Sequence, residues 1–155
     1  MSDNLKVGEP APDFSLTAND GTTVSLADFR DRQAVVLYFY PKDDTPGCTK
    51  EACAFRDLAA EFAERGAVIL GVSPDSVASH VKFREKFGLP FPLLADADHA
   101  VAERYGVWKE RSMYGRRFMG VERTTVVIGK DGRVKRVFPK VRVDGHADAV
   151  LATLE

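Results

Sequence analysis

Cysteine is scarce in this chain of 155 residues: only Cys48 and Cys53 occur, too few for a disulfide scaffold. Histidine is scarcer than a metal centre wants. His80, His99 and His146 are scattered, and with two cysteines they do not make a four-ligand zinc site. The histidines read as surface or capping residues. Charge of one sign is missing too: 22 basic residues against 23 acidic ones leave a formal −1. That balance points to neither nucleic acid nor an anionic membrane surface as partner. No apolar run approaches the roughly 20 residues that span a bilayer. Residues 1–6 lack the apolar stretch of a secretory signal, so two cysteines in a reducing cytoplasm are the expectation. Several site types are absent as well. There is no Gly-rich phosphate loop or dinucleotide fingerprint and no Cys-x-x-Cys. Position 54, where a tyrosine-phosphatase loop would carry arginine, is Ala54. With no repeat, linker or low-complexity tract, one domain over 1–155 is expected.

What is present concentrates around the two thiols. Val35 to Phe39 is β-branched and aromatic, the pattern of a buried strand. From Cys48 onward Ala52, Phe55, Leu58, Ala59 and Phe62 recur at helical spacing until Gly66. Cys48 therefore falls where a strand, a Pro/Gly loop and a helix N-terminus meet. The unpaired N–H groups and positive dipole of that terminus favour an anion, and so a nucleophilic thiolate. Pro41 and Pro46 stiffen the approach, and Gly47 lets backbone come close without a Cβ. Thr45 is placed to aim a hydroxyl at the sulfur or its ligand. The competing reading is an inert buried thiol in a proline-shaped loop.

Cys53 lies five residues on. On an intact helix that offset is about 140° around the axis, with Cα atoms about 8–9 Å apart. A disulfide needs about 4.4–6.8 Å. The spacing disfavours a permanent staple and permits a switch in which the first helical turns unwind. Alternatively, Cys53 is a small core hydrophobe.

Elsewhere, segments 14–17 and 22–26 around Asn19-Asp20-Gly21 form an N-terminal β-hairpin, and 27–29 a helical turn. A strand is expected at 67–72, a helix at 76–87, a strand at 91–95 and a helix at 97–105. Segments 124–128 and 134–138 form a hairpin, and Ala147, Val150, Leu151 and Leu154 stripe a final helix. Arg116-Arg117-Phe118 reads as a loop. Trp108 and Tyr114 read as ordinary packing or as cleft borders. The element order suits an α/β protein with a mixed central sheet flanked by helices, without singling out one fold. Arg123 precedes an apolar strand from which it could project into a cleft; most such arginines are solvated. Glu51 could pair with it, or serve as a plain first-turn carboxylate.

Pro41-x-x-x-Thr45-x-x-Cys48 resembles the active-site motif of peroxiredoxins, and a second Cys five residues on resembles their Q-type, bacterioferritin comigratory subfamily. Phe14-Ser15-Leu16 to Asp20-Gly21, Val107-Trp108-Lys109-Glu110, Met113-Tyr114-Gly115, Glu122-Arg123-Thr124-Thr125 and Gly145-His146 extend the likeness over nearly the whole chain. The resemblance implies a thioredoxin-like fold and a peroxidase acting on hydrogen peroxide and organic hydroperoxides. It implies Cys48 as peroxidatic and Cys53 as resolving cysteine, joined in an intramolecular disulfide, with Thr45 and Arg123 beside the sulfur and Pro41, Gly47 and Glu51 supporting. Thioredoxin or a similar dithiol would recycle the enzyme. No metal, flavin or haem is needed because sulfur itself accepts the oxygen, and a monomer or weak dimer is expected. The alternative is a peroxide-sensing thiol switch acting on a partner protein.

Overall fold

The computed structural model describes residues 5–154. Residues 1–4, part of the segment read for a secretory signal, and residue 155 lie outside the described residues. The chain opens with the antiparallel pair β1 (Ser15–Ala18) and β2 (Thr23–Ser25). Asp20 fixes their turn by accepting from the Thr22 N–H and hydroxyl at 3.0 and 2.6 Å. Leu26–Phe29 is one 3₁₀ turn. β3 (Ala34–Phe39) follows, then α1 (Pro46–Asp57), α2 (Ala59–Glu64) and β4 (Ala67–Ser73). α3 (Val77–Phe87) leads to β5 (Leu93–Ala95) and α4 (Ala100–Arg104). After a pair of strands, β6 (Trp108–Met113) and β7 (Arg116–Val121), come β8 (Thr124–Ile128), β9 (Val134–Phe138) and α5 (His146–Ala152).

The main sheet runs β2-β1-β5-β4-β3-β8-β9. It is mixed. β4 lies parallel to β3 and β5, while β1 and β8 run antiparallel to their neighbours. A helical crossover is what parallel β3 and β4 require, and α1 with α2 supplies it. β3 has a ladder on both sides, and its residues alternate between two cores. Val35, Leu37 and Phe39 meet Leu26, Val101 and Tyr105 on one face. Val36 and Tyr38 meet Phe55, Phe62, Phe83 and Val150 of four helices on the other. Each such large side chain stabilises the fold by about 1.5–3 kcal/mol. Cys48 belongs to this second cluster.

The ends of α3 and the start of α1 follow the capping rules. Ser76 accepts from the Ser79 N–H at 3.1 Å, and Gly88, with φ 60°, closes α3 in the left-handed region. Pro46 stands in the first turn of α1, where its missing N–H costs nothing.

Four expectations need correction. The helix from Cys48 does not run unbroken to Gly66. It lapses at Leu58, whose N–H turns back to Phe55 O at 3.2 Å before α2 resumes. With no glycine or proline there, the cause is tertiary: the bend seats Phe55 and Phe62 on one core, their rings 5.8 Å apart. α4 starts at Ala100 rather than residue 97 because buried Asp96 caps it, accepting from the N–H groups of Val101 and Ala102 at 3.1 and 2.9 Å. Arg116-Arg117-Phe118 is strand, not loop, paired with β6 around a tight Tyr114-Gly115 turn whose φ values are 52° and 75°. Finally, His80 and His146 are buried, not surface residues.

Candidate active site

β3 ends beneath the site, and Tyr40 continues it by donating its N–H to Val72 O at 3.0 Å. The loop from Pro41 then turns into α1 through Asp44, which adopts φ 57°. Thr45 is the extended residue before the helix, and its carbonyl takes the first helical bond from Thr49 N–H at 2.8 Å. Cys48 therefore sits in the first turn, where amide N–H groups are unpaired. Its thiol is 1% exposed.

Arg123 reaches Cys48 from the link between β7 and β8. Its backbone is pinned there, since its carbonyl accepts from Val141 N–H at 2.9 Å. Its Nη2 donates to Cys48 Sγ at 3.2 Å, and Nη1 donates to Glu51 Oε1 at 2.6 Å. One planar group thus spans the sulfur and a carboxylate one turn further along α1. A Cβ at Gly47 would lie 3.2 Å from Nη2, so glycine lets the guanidinium pass. Pro41 lines an open hollow with Arg111, Glu122, Arg123, Lys140 and Val141.

Glu51 is 1% exposed, and its Oε2 has no hydrogen-bond partner among the described residues. Burial pushes its pKa up to about 7, against the opposing pull of Arg123. Burial also works against the charge on Arg123. Glu51 and Cys48 outweigh it and hold the guanidinium above the ordinary arginine value. His146 stands behind this pair. Its Nε2 lies 2.8 Å from the Thr125 hydroxyl and 3.9 Å from Glu51 Oε2. The rings of Phe55 and Phe138 meet it edge-on. Burial first, and the Arg123 charge second, lower its pKa to about 4, so His146 stays neutral. Tyr38 adds a second buried oxygen without a partner among the described residues; burial, with Glu51 and Cys48 next, holds its phenol well above the ordinary pKa.

The structure therefore brings together Cys48, Glu51, Arg123, Gly47 and Pro41. Thr45 differs from its expected aim, for its hydroxyl donates to Lys42 O at 2.9 Å and makes no bond to the sulfur. Cys53 lies further along α1, partly exposed, with its sulfur free. Tyr114 stands 98% exposed at the hairpin tip, and Trp108 stacks on His99 at 3.9 Å.

Residue-by-residue reading of the sequence overlooks two groups. His146 reads there as a surface or capping residue and as part of Gly145-His146, with no thiol or carboxylate at a telling spacing. The second is a cluster around Asp43, in the loop before Cys48. His80 carried a readable signal, since 80, 83 and 87 fall on one helical face with two phenylalanines. Ligand atoms of Asp43, Asp75 and His80 lie within 4.8 Å of one another. The protein already engages them: Asp43 accepts from Tyr40, Ser79 and His80, and Asp75 accepts from Ser73 and the Asp43 N–H. The cluster is a hydrogen-bond network rather than an open ligand set.

The AhpC/TSA family model matches residues 7–137. The peroxiredoxin Bcp of Bacillus subtilis strain 168 is 50% identical over 151 residues, covering 97% of this chain and 96% of the relative. That of Escherichia coli K12 is 44% identical with the same coverage. Among solved structures, Xanthomonas campestris peroxiredoxin Q superposes with TM-score 0.87 at 45% identity, covering 97% of this chain and 96% of its own. A Xanthomonas campestris bacterioferritin comigratory protein, trapped in intermediate and ligand complexes that concern alkyl peroxide reduction, superposes at 0.88 with 44% identity and 95% and 96% coverage.

Proposed function

This chain belongs to the AhpC/TSA family as a peroxiredoxin of the bacterioferritin comigratory, Q type, and from that membership we propose that it reduces hydroperoxides at Cys48. It is a thiol-dependent peroxidase with a thioredoxin-like fold. The observation that carries the assignment to Cys48 is the 3.2 Å hydrogen bond from Arg123, itself anchored on Glu51.

Cys48 as thiolate attacks the terminal oxygen of a hydroperoxide. The S–O bond forms as the O–O bond breaks, and the charge leaves on the distal oxygen, which takes a proton to become water or an alcohol. Donors must stand where that charge develops. Arg123 and the backbone N–H groups of Gly47 and Cys48 are the set we assign. Thr45 joins this set once its hydroxyl turns from Lys42 O toward the peroxide. Cys48 is left as a sulfenic acid. On the intact α1 the two sulfurs are out of reach, so the first turns unwind before the Cys53 thiol attacks, expelling water and forming the disulfide. A dithiol such as thioredoxin then reduces it by exchange. The reading takes 1–155 as one catalytic domain, a monomer or weak dimer, working in a reducing cytoplasm. No helix among the described residues is long and apolar enough to cross a membrane. A peroxide-sensing switch is not favoured, because the relatives named above are peroxiredoxins.

Mass spectrometry of protein treated with one equivalent of peroxide tests the assignment. The peptide spanning 48–53 should lose two hydrogens. Cys53→Ser should accumulate sulfenic acid at 48 and stop thioredoxin-dependent cycling; unchanged cycling would remove Cys53 from the mechanism.

A further inference from the structure

The loop that delivers Cys48 is tied down at one residue, Asp43, by bonds from three separate segments. Tyr40 at the end of β3 donates its hydroxyl to Oδ1 at 2.6 Å. Ser79 of α3 donates to Oδ2 at 2.8 Å, and His80 Nδ1 lies 2.6 Å from the same oxygen. The Asp43 N–H donates to Asp75 Oδ2 at 2.8 Å, and Asp75 is held in turn by the Ser73 hydroxyl at 2.6 Å. His80 Nε2 lies 2.9 Å from Leu94 O of β5. Asp43 and His80 are both buried, and each of their side-chain polar atoms has a partner.

Little slack separates this anchor from the sulfur. Asp44 is in the left-handed region, the Thr45 hydroxyl bonds back to Lys42 O, and Pro46 fixes the entry to α1. Swinging Cys48 toward Cys53 pulls on a stiff tether of four residues whose far end is Asp43. We propose that Asp43 and His80 are positioning residues that hold the first turns of α1 wound, and so decide how the Cys48 sulfenic acid divides between disulfide and further oxidation. This rests on the Cys48–Cys53 reading above. The two fates compete for one sulfur. Attack by the Cys53 thiol forms S–S and releases water; attack on a second hydroperoxide adds a second oxygen, giving sulfinic acid and an alcohol. A tighter anchor lengthens the life of the wound state and favours the second.

The test compares wild type with Asp43→Asn and His80→Asn, following disulfide formation by rapid quench and the sulfinic fraction by mass spectrometry over a peroxide series. Loss of an anchoring hydrogen bond should speed disulfide formation about threefold to tenfold, and raise by a like factor the peroxide needed for half-maximal sulfinic acid. Tyr40→Phe and Ser79→Ala each remove one donor to Asp43 with little change of shape, and they decide the matter if the first pair fails to fold. Val134→Ala, in the core on the opposite face of the sheet, controls for general destabilisation. An unchanged partition in the variants that fold, or an equal shift in Val134→Ala at matched loss of melting temperature, overturns the proposal. A wild type that forms no disulfide between 48 and 53 overturns both this inference and the reading beneath it, and is distinguished by appearing before any variant is made.

Discussion

Two buried carboxylates flank Cys48, and the protein treats them in opposite ways. Asp43, five residues before the cysteine, has donors to both oxygens, drawn from β3 and α3. Glu51, three residues after it, has one oxygen on Arg123 and the other bare. In a low-dielectric interior a fully partnered network rigidifies, whereas an unpartnered oxygen costs stability and leaves protonation easily shifted. The satisfied cluster thus suits a mechanical task. The unsatisfied one lies beside the sulfur, where charge must rearrange during each turnover.

Four experiments sharpen or break that contrast. Cys48→Ser should abolish peroxide turnover in a thioredoxin-coupled assay, while every variant in either cluster keeps a measurable rate; residual turnover without this sulfur would place the chemistry elsewhere. Arg123→Ala should slow oxidation of Cys48 by about 100- to 1,000-fold in stopped flow, the range for losing one preorganised donor. A loss as large from Asp43→Asn would mean that the upstream cluster also serves the chemical step.

The third concerns pH. Glu51 has a folded pKa raised to about 7, so its contribution is present below 4.5 and is lost as pH rises through 7. The pKa of His146 is lowered from 6.5 to about 4, so its contribution is present above 6.5 and is lost as pH falls toward 4. In wild type these slopes oppose each other between pH 4.5 and 6.5. Glu51→Gln should unmask a loss of stability on acidification, and His146→Gln a loss as pH rises. Urea midpoints across this range check both signs, and flat profiles in both variants would show that the pair does not titrate as its burial implies. The smallest effect belongs to Lys86→Ala. It removes an exposed ion pair of 2.8 Å with Asp44, in the same loop as the Asp43 anchor. It should change stability by less than about 0.5 kcal/mol and leave the oxidation rate unchanged.

Much of this was legible in advance, and the rest was hidden for identifiable reasons. β3, α3 and the outer hairpins announce themselves through apolar period, Ser76, Gly88 and the Asp-Gly turns, because local preference and tertiary packing agree there. β6 and β7 do not. They stand apart from the main sheet with most side chains exposed, so no buried face imprints a period of two on the sequence. The lapse at Leu58 follows from the seating of Phe55 and Phe62, a tertiary fact. Cys48 and Cys53 were visible through spacing and the proline–glycine loop. Arg123 and Glu51 were visible as candidates, but their union across 72 positions is set by the β7–β8 link. His146 and His80 escape a sequence reading because burial of a histidine depends on which carboxylate or hydroxyl the fold brings to it.

β3 is laddered on both sides and almost wholly buried, and only six residues separate its end from the start of α1. Backbone amides along β3 should therefore be among the last in the molecule to exchange with deuterated solvent, opening only when the whole chain melts. Those of residues 48–53 should exchange early, through excursions that leave the strand untouched. A time course of deuterium uptake would then show a steep step between Phe39 and Cys48, marking the seam where a yielding catalytic coil is mounted on the stiffest part of its own foundation.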